Sequence, residues 1–364
     1  MEFLFENFPA ITWQMIAMWI IGGVLIFLAI KKEMEPTLLL PMGLGAILIN
    51  LPNSDAVHVL GTLYNAGISN ELFPLLLFIG IGAMIDFGPL LSNPKMLLFG
   101  AAAQFGIFFT LSMASLLGFE LKDAASIAII GAADGPTSIA VATTLKSNYV
   151  GAIIVAAYSY MALVPVVQPI CIKAITTKKE RLIRMPYNPS SVTKTTRILF
   201  PILVTVLAGV FAPKSVSLVG FLMFGNLLRE CGVLDSLSQT AQNALANLVT
   251  LLLGISVAFT MKAADFMTLE TLVILALGLV AFIFDTFAGV AFAKLLNLFS
   301  KNKINPMVGA AGISAFPMSS RVVHKMGLKE DPQNFLLMHA AAANVSGQIA
   351  SVIAGGVILS LVMR

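Results

Sequence analysis

Charged residues are scarce in this chain, and that scarcity excludes an ordinary soluble protein. Asp, Glu, Lys and Arg account for 11% of the 364 residues, 58% are hydrophobic, and the mean hydropathy is +0.93. Soluble domains carry about 25% charged residues. A core of ordinary size cannot bury so many apolar side chains, so lipid must surround much of the surface. The composition predicts an all-α, polytopic membrane protein, because helices satisfy their own backbone groups in lipid.

Cysteine and histidine are also few, which leaves little material for a disulfide framework or a metal cluster. Cys171 and Cys231 lie in or beside apolar segments without CxxC spacing, as buried small hydrophobic residues do. His58, His324 and His339 are not spaced as metal ligands. The chain has no P-loop, Rossmann turn or nucleophile elbow. The polar residues inside the apolar segments are therefore the candidates for function.

The few charges are unevenly distributed along the chain. Seven basic residues fall between positions 173 and 197, namely Lys173, Lys178, Lys179, Arg181, Arg184, Lys194 and Arg197. Short basic loops of membrane proteins stay on the cytoplasmic side. We therefore expect residues 173–197 to be a basic cytoplasmic linker. No nucleic-acid-binding motif accompanies these charges, so we expect no nucleic-acid partner.

The apolar segments on either side of the linker form two similar series. Each series has three shorter segments, a long one, one interrupted by glycine and proline, and a final long one. We predict a first repeat over residues 1–172 with a broken, re-entrant hairpin at 124–145. A second repeat over residues 198–364 has its hairpin at 306–325. Five crossings per repeat would invert the second repeat, an arrangement typical of transporters with a site near the middle of the bilayer.

Asp134 is the main candidate in the first hairpin. Gly135 and Pro136 interrupt the helix beside it and expose backbone carbonyl groups next to its carboxylate. Carboxylate, hydroxyl and carbonyl oxygens are the ligands that hard cations such as Na⁺ prefer. An ionisable residue deep in a span is costly and usually functional. The alternative is a structural ion pair between Asp134 and Arg321.

The second hairpin contributes polar groups of its own. These are Asn305, Gly309, Ser314, Ser319, Ser320 and Arg321. Its hydroxyl and amide groups can complete an ion shell or form a second one. Arg321 is either a snorkelling interfacial residue or a fixed cation that recruits an anion or releases Asp134 from its ion. Asn344, in the last span, serves either close helix packing or ligation.

Three further polar residues lie inside predicted spans. Tyr158 and Tyr160 lie mid-span, where a phenol can donate a proton or bind an ion, although membrane tyrosines usually mark the interface. Asp285 is also intramembrane. For Asp285, a role in the site and a structural role are both open.

Several motifs occur together in this chain, namely GAADGPT at 131–137, YSYMALVP at 158–165 and TTKKER at 176–181, followed in order by Asn305, Gly309, Ser314 and Arg321. Together they resemble the β subunit of the sodium ion-translocating, biotin-dependent decarboxylases of oxaloacetate, glutaconyl-CoA or methylmalonyl-CoA. It covers nearly the whole chain. Ala132 departs mildly from the family pattern, but it is not a proposed ligand.

The resemblance implies an enzyme that is also a pump. Such a subunit decarboxylates carboxybiotin, exports Na⁺ and consumes a proton. Biotin would be carried by a separate biotin carrier protein, and the other partners would be a carboxyltransferase α subunit and a small membrane anchor subunit. The resemblance further implies a homotrimer in the inner membrane of a prokaryote.

The matching positions also imply roles for individual residues. The residues implied for Na⁺ binding are Asp134, Asn305, Ser314 and Asn344. Those implied for catalysis and proton movement are Asp134, Tyr160 and Arg321, with Arg321 and Ser314 near carboxybiotin. Residues expected to support the site are Gly135, Gly309, Tyr158 and Asp285.

Two other functions fit parts of the same sequence. A Na⁺/H⁺ antiporter or Na⁺-coupled symporter needs the same inverted repeats and intramembrane aspartate, and only the matched motifs favour a decarboxylase. A purely structural membrane subunit would tolerate alanine at Asp134 and Arg321. Within the decarboxylases, the chain lacks an insertion associated with some oxaloacetate-type members, which favours an acyl-CoA decarboxylase.

Overall fold

The computed structural model describes residues 10–186 and 192–363, and these residues form helices and turns without any strand. The all-α prediction is therefore confirmed. The helices before the linker are α1 (Trp13–Lys32), α2 (Pro36–Ile49), α3 (Ala56–Gly67), α4 (Leu72–Met84), α5 (Gly88–Ser92), α6 (Leu97–Ala102), α7 (Phe105–Leu116), α8 (Leu121–Ala128), α9 (Gly135–Thr144) and α10 (Val150–Ile175). Those that follow are α11 (Lys178–Arg181), α12 (Lys194–Phe211), α13 (Val216–Glu230), α14 (Asp235–Thr240), α15 (Ala246–Val257), α16 (Ala263–Phe266), α17 (Leu269–Phe299), α18 (Pro306–Ala310), α19 (Met318–Glu330) and α20 (Leu337–Val362).

The number of membrane crossings differs from the prediction. Seven stretches of helix within the described residues are long and apolar enough to span a bilayer, and the bent pair α3–α4 makes an eighth. The helices α2 and α13 have only 14 and 15 residues, fewer than the roughly 20 that a span requires. A multi-pass membrane protein is confirmed, whereas five crossings in each half are not.

The helices form two layers. In the first layer, α1 packs on α2, α2 on α15, α4 on α13 and α12 on α13. In the second layer, α10 packs on α17, α20 on α6, and α17 on α7. The outer helices α1 and α12 expose large apolar side chains such as Ile20 and Val210. These faces are suited to lipid, which solvates apolar side chains.

Helix breaks occur inside both predicted hairpins, which belong to the second layer. The first hairpin is α8–α9 and the second is α18–α19. The helix α9 packs against both α10 and α20, and α19 packs against the same two helices. The two long helices α10 and α20 therefore hold the hairpins side by side, which brings their breaks together.

Candidate functional site

Asp134 lies at the break of the first hairpin. A 3₁₀ turn over Ile129–Ala132 continues α8, Ala133 adopts the left-handed conformation with φ 52°, and Asp134 then caps α9. Its Oδ1 accepts a hydrogen bond from the backbone amide of Thr137 at 3.2 Å. The positive end of the α9 dipole favours a negative charge at this position.

The second oxygen of Asp134, Oδ2, is held by three side chains. It accepts hydrogen bonds from Thr137 Oγ1 at 2.7 Å, Gln348 Nε2 at 3.0 Å and Ser351 Oγ at 2.6 Å. Asp134 is only 3% exposed and forms no ion pair with any described residue. All of its donors are neutral. A buried carboxylate without a cation in contact is costly, so the site requires a proton or a bound cation.

The two hairpin breaks contact each other directly. Ser314, in the segment between α18 and α19, donates its amide at 3.1 Å and its hydroxyl at 2.6 Å to the carbonyl oxygen of Ala132. Ala132 is two residues before Asp134, so the structure brings two of the predicted Na⁺ ligands, Asp134 and Ser314, to one place. Ser314 is also buried.

One face of α20 covers both breaks. Asn344, Gln348 and Ser351 are spaced i, i+4 and i+7, so they share a helix face. Asn344 Nδ2 donates to the carbonyl of Ile313 at 2.7 Å, beside Ser314. Its Oδ1 is buried and has no hydrogen-bond partner among the described residues. A buried amide oxygen without a partner is suited to coordinate a hard cation.

A cavity of 180 Å³ lies beside Asp134, between the two helix layers. From the first layer it is lined by Thr37, Leu38, Leu77, Ile81, Met84, Ala246, Asn247 and Thr250. From the second layer it is lined by residues 133–136, Tyr158, Met161, Ser314, Phe316, Pro317 and Gln348. This is several times the roughly 30 Å³ that one water molecule takes up in the liquid. The cavity therefore suits a small, partly hydrated ion.

The two tyrosines of α10 lie on different sides of that helix. Tyr158 lines the cavity, its ring packs on Gly135, and its buried hydroxyl has no partner among the described residues. Tyr160 instead donates its hydroxyl to the carbonyl of Leu275 in α17. Helix residues two apart point about 200° apart, so only one of the two can face the cavity. The predicted role of Tyr160 remains a prediction, and the structure places Tyr158 at the cavity.

Asn305 is not beside Asp134. It caps α18 by accepting the amide of Met307 at 3.1 Å, and its Nδ2 donates to the carbonyls of Arg181 and Ile183 at 2.8 and 2.9 Å. These contacts attach the linker to the second hairpin. Gly309 packs against the backbone of Gly289 in α17. The glycine therefore allows the backbones of α18 and α17 to approach each other closely. The Na⁺-binding role of Asn305 stays a prediction.

Asp285 forms a separate buried site on α17. Its Oδ1 accepts a hydrogen bond from the amide of Gly106, where α7 begins after the interruption that follows α6. Its Oδ2 has no partner among the described residues, and a Cβ atom at Gly131 would lie 2.9 Å from it. Asp285 therefore stabilises a helix interruption and packs against the first hairpin, but it does not line the Asp134 cavity.

Arg321 neither lines the cavity nor pairs with Asp134. It is exposed in the first turn of α19, four residues after the lining residue Pro317, and we call this end of the cavity its mouth. Its charge acts on Glu35, which lines the cavity from the connector between α1 and α2. Burial raises the pKa of the Glu35 carboxyl above its ordinary value, and the Arg321 guanidinium partly offsets this.

Three of these residues were not anticipated from the sequence. Gln348 and Ser351 have the helical spacing of Asn344, a signal that was available in the sequence. Glu35 belongs to a connector with no motif, and only tertiary packing brings it to the cavity.

The chain is similar over nearly its whole length to known proteins. A family model described as the Na⁺-transporting oxaloacetate decarboxylase beta subunit matches residues 14–362. The methylmalonyl-CoA decarboxylase subunit beta of Veillonella parvula is 49% identical over 356 residues, covering 98% of this chain and 95% of the relative. The glutaconyl-CoA decarboxylase subunit beta of Acidaminococcus fermentans is 49% identical over 359 residues, covering 98% and 96%. The oxaloacetate decarboxylase beta chain 2 of Salmonella typhi is 45% identical over 410 residues, covering 95% and 94%.

Proposed function

The chain belongs to the family of Na⁺-transporting decarboxylase β subunits, and from that membership we propose that it decarboxylates carboxybiotin and exports Na⁺, with Asp134 exchanging Na⁺ for a proton. The observation that carries this proposal is the environment of Asp134. Its carboxylate is buried, its donors are all neutral, and it borders a cavity large enough for a partly hydrated ion.

Proton and Na⁺ compete for Asp134 in this proposal. A buried carboxylate needs one unit of positive charge nearby, and either ligand supplies it. When Na⁺ binds, the proton leaves, and when a proton returns, Na⁺ is released. Decarboxylation of carboxybiotin consumes a proton. The chemical step and the exchange at Asp134 therefore both involve proton transfer. Outward release of Na⁺ then follows if the site opens to the side opposite the cytoplasm once Asp134 is protonated.

The Na⁺ ligands we propose come from both breaks and from α20. They are Asp134, the Ser314 hydroxyl and Asn344 Oδ1, with exposed backbone carbonyls of the breaks. The buried, unpartnered oxygen of Asn344 supports its inclusion. Asn305 is retained from the family resemblance, although in this structure it binds the linker. Hydroxyl and amide oxygens with a single carboxylate suit a monovalent hard cation.

The packing pattern supports an inverted-repeat organisation with residues 1–172 and 198–364 as equivalent halves. The contact between α4 and α13 has a counterpart between α15 and α2, and the contact of α10 with α17 has one between α20 and α6. The hairpins follow the same rule, since α9 packs on α20 as α19 packs on α10. We propose that the cavity between the layers opens alternately to the two sides as one layer moves against the other.

The substrate is proposed to meet the chain at the mouth of the cavity. Arg321 is exposed there and can bind the carboxylate of carboxybiotin as a charge-assisted pair. A biotin carrier protein would deliver the group from the cytoplasm, and a carboxyltransferase α subunit and a small membrane anchor subunit would complete the complex. We also propose a homotrimer in the inner membrane of a prokaryote.

An acyl-CoA is the proposed source of the carboxyl group. The alignments with the methylmalonyl-CoA and glutaconyl-CoA relatives extend over 356 and 359 positions. The alignment with the Salmonella typhi chain extends over 410 positions while covering 95% of this chain, so that relative carries insertions. The lengths thus favour the acyl-CoA type.

The test uses the complete complex reconstituted in vesicles. We expect avidin-sensitive decarboxylation of glutaconyl-CoA or methylmalonyl-CoA, rather than oxaloacetate, to require Na⁺ and to drive radioactive sodium across the membrane. Asp134→Asn should abolish both, because the amide cannot exchange a proton for Na⁺. A plain secondary transporter would move Na⁺ without any decarboxylation.

The matched control is Asp123→Asn in the same hairpin. Asp123 is also buried, but its oxygens accept hydrogen bonds from Ser147 Oγ at 2.7 Å and from the amide and side chain of Asn148 at 2.8 and 2.9 Å. This variant should lose stability and keep Na⁺ dependence. Sodium transport by Asp134→Asn at the wild-type rate would contradict the proposal.

A further inference from the structure

Glu35 is a carboxyl group at the cavity whose role the family motifs do not explain. It lies in the connector between α1 and α2, is half-buried, and lines the same cavity as Asp134. No described residue hydrogen-bonds to its carboxylate or pairs with it within 4.0 Å. A half-buried carboxyl without a fixed partner is free to give or take a proton.

The backbone of Glu35 is held in an unusual conformation. Its φ is +40°, in the left-handed region, and Pro36 follows it directly. A residue with a β-carbon rarely adopts positive φ, and the residue before proline prefers an extended conformation. Such local strain persists where the surrounding structure imposes it, often at functional sites. Here it accompanies the placement of a charged side chain at the cavity.

The charged and titratable groups around Glu35 come from several elements. Arg321 of α19 interacts electrostatically with Glu35. Glu35 and Asp134 both interact electrostatically with Tyr158 of α10. The lining residues from α4 and α15 carry no titratable group. The last turn of α1 holds Lys31 and Lys32, and the connector itself holds Glu33, all exposed. Glu35 is therefore a cavity-lining carboxyl group that interacts electrostatically with the exposed Arg321, whereas Asp134, the other lining carboxyl group, is held by neutral donors.

We propose that Glu35 is the general acid of the decarboxylation step at the mouth of the cavity, an assignment that rests on the proposed function. With the substrate carboxylate at Arg321, the bond between the carboxyl carbon and the ureido nitrogen breaks and CO₂ leaves. The electron pair stays on the nitrogen, which takes the proton of the Glu35 carboxyl. Glu35 is left as a carboxylate.

The charges at the mouth favour this sequence. Before the step, Arg321 is neutralised by the substrate carboxylate, so a second negative charge at Glu35 is unfavourable and the protonated form is retained. After the step, CO₂ is neutral and Arg321 is free to stabilise the new Glu35 carboxylate. The tendency of burial to keep Glu35 protonated, described above, agrees with this role. Tyr158 and Asp134, along the same cavity, can then return a proton to Glu35.

The test compares Glu35→Gln with Glu33→Gln in the reconstituted complex. Glu33 is in the same connector, also has positive φ at 51°, and is exposed and outside the cavity. General acids contribute about 10²–10⁴-fold to rate, so Glu35→Gln should slow Na⁺-dependent decarboxylation about 100-fold or more at neutral pH. Glu33→Gln should keep the wild-type rate and pH profile.

Two readouts do not require turnover. Binding of radioactive sodium to the purified chain should be unchanged in Glu35→Gln, because Asp134 and its donors remain. Infrared difference spectra between neutral and alkaline pH should lose one protonated-carboxyl signal in Glu35→Gln and none in Glu33→Gln, because ordinary carboxyl groups are already ionised at neutral pH. Loss of Na⁺ binding, an unchanged pH profile, or identical spectra of the two variants would each overturn the assignment. If instead the wild-type complex shows no Na⁺-dependent decarboxylation, the proposed function fails, while the spectra still report on Glu35.

Discussion

The two hairpin breaks both interrupt a helix inside a hairpin, and they differ in charge. The first break places the carboxylate of Asp134 at the start of α9, whereas the segment between α18 and α19 carries no charged residue. In the second break, Ser314 donates to the Ala132 carbonyl and Ser319 donates to the Ala310 carbonyl at 3.3 Å. One carboxylate accommodates one monovalent cation or one proton at a time. The second break thus supplies neutral hydrogen-bonding groups to the site, and Arg321 follows it in the first turn of α19.

The glutamine side chains that hold the two breaks also differ in whether they bind a charged group. Gln168 of α10 donates to the Ala310 carbonyl at 2.8 Å and to Ser319 Oγ at 2.6 Å. Gln348 of α20 donates to Asp134 Oδ2 at 3.0 Å. Each long helix therefore braces the hairpin of the other half. Because a hydrogen bond to a charged group contributes more than one between neutral groups, only the Gln348 contact is expected to affect ion binding.

The largest expected effect comes from adding a methyl group at each hairpin. In Gly309→Ala the new Cβ would collide with the backbone of Gly289, whereas in Gly135→Ala it would meet the ring of Tyr158. Neither glycine has positive φ, so backbone conformation does not oppose either change. Overpacking against fixed backbone costs about 1–3 kcal/mol or more. Gly309→Ala should therefore lower the thermal midpoint in detergent more than Gly135→Ala, whose neighbouring ring can move into the cavity. Equal melting of the two variants would show that the second hairpin is not the more rigid one.

The next effect concerns the two glutamines. A hydrogen bond to a charged group contributes about 1.5–3 kcal/mol, so Gln348→Ala should raise the Na⁺ concentration for half-maximal activity about tenfold or more. The matched variant, Gln168→Ala, removes only neutral hydrogen bonds and should lower thermal stability without changing the Na⁺ dependence. The measurement is decarboxylation against Na⁺ concentration for both variants. A similar shift in both would remove the distinction between a charged and a neutral break.

The breaks themselves could be predicted from the sequence, and their partners could not. Gly135 and Pro136 next to Asp134 mark an interruption by local chemistry alone, since proline lacks an amide hydrogen. Thr137 is a local partner of Asp134, but its other two partners, Gln348 and Ser351, lie more than 200 positions away on α20. Their spacing with Asn344 indicates a shared helix face, but no local rule assigns that face to Asp134. Such contacts depend on how the helices pack.

The tyrosines and the helix count show two further limits of the sequence. Polar residues inside a span indicate function, but they do not indicate which way each side chain points. The different surroundings of Tyr158 and Tyr160 therefore depend on the position of α17, which the sequence does not give. Segment lengths predicted five crossings in each half, yet α2 and α13 are too short to be counted as spans by length. Short helices can be sheltered by neighbouring protein, and apolar composition alone does not reveal this.

The smallest expected effect concerns the attachment of the second hairpin to the linker. Arg184 Nε lies 2.6 Å from Asp331 Oδ2, and Arg181 Nε lies 2.7 Å from Glu330 Oε1. The hydrogen bond from Arg184, followed by that from the Gln333 amide, holds the pKa of Asp331 below its ordinary value of 3.8. No ion pair among the described residues ties the first hairpin to the linker. The charged hairpin is therefore the less tethered of the two.

The pH dependence of Asp331→Asn tests that tether. Because its pKa is lowered in the folded chain, the stability contribution of Asp331 is complete above pH 3.8 and is lost as pH falls through the lowered value. The variant should melt slightly below wild type at neutral pH, and the difference should vanish in strong acid and shrink in high salt, as for other exposed pairs. The control is Asp55→Asn, an exposed aspartate that caps no helix amide, which should melt as wild type does. A difference that persisted in acid would assign the effect to packing of the Asp331 side chain, and Arg181–Glu330 would then be the remaining ion pair between the second hairpin and the linker among the described residues.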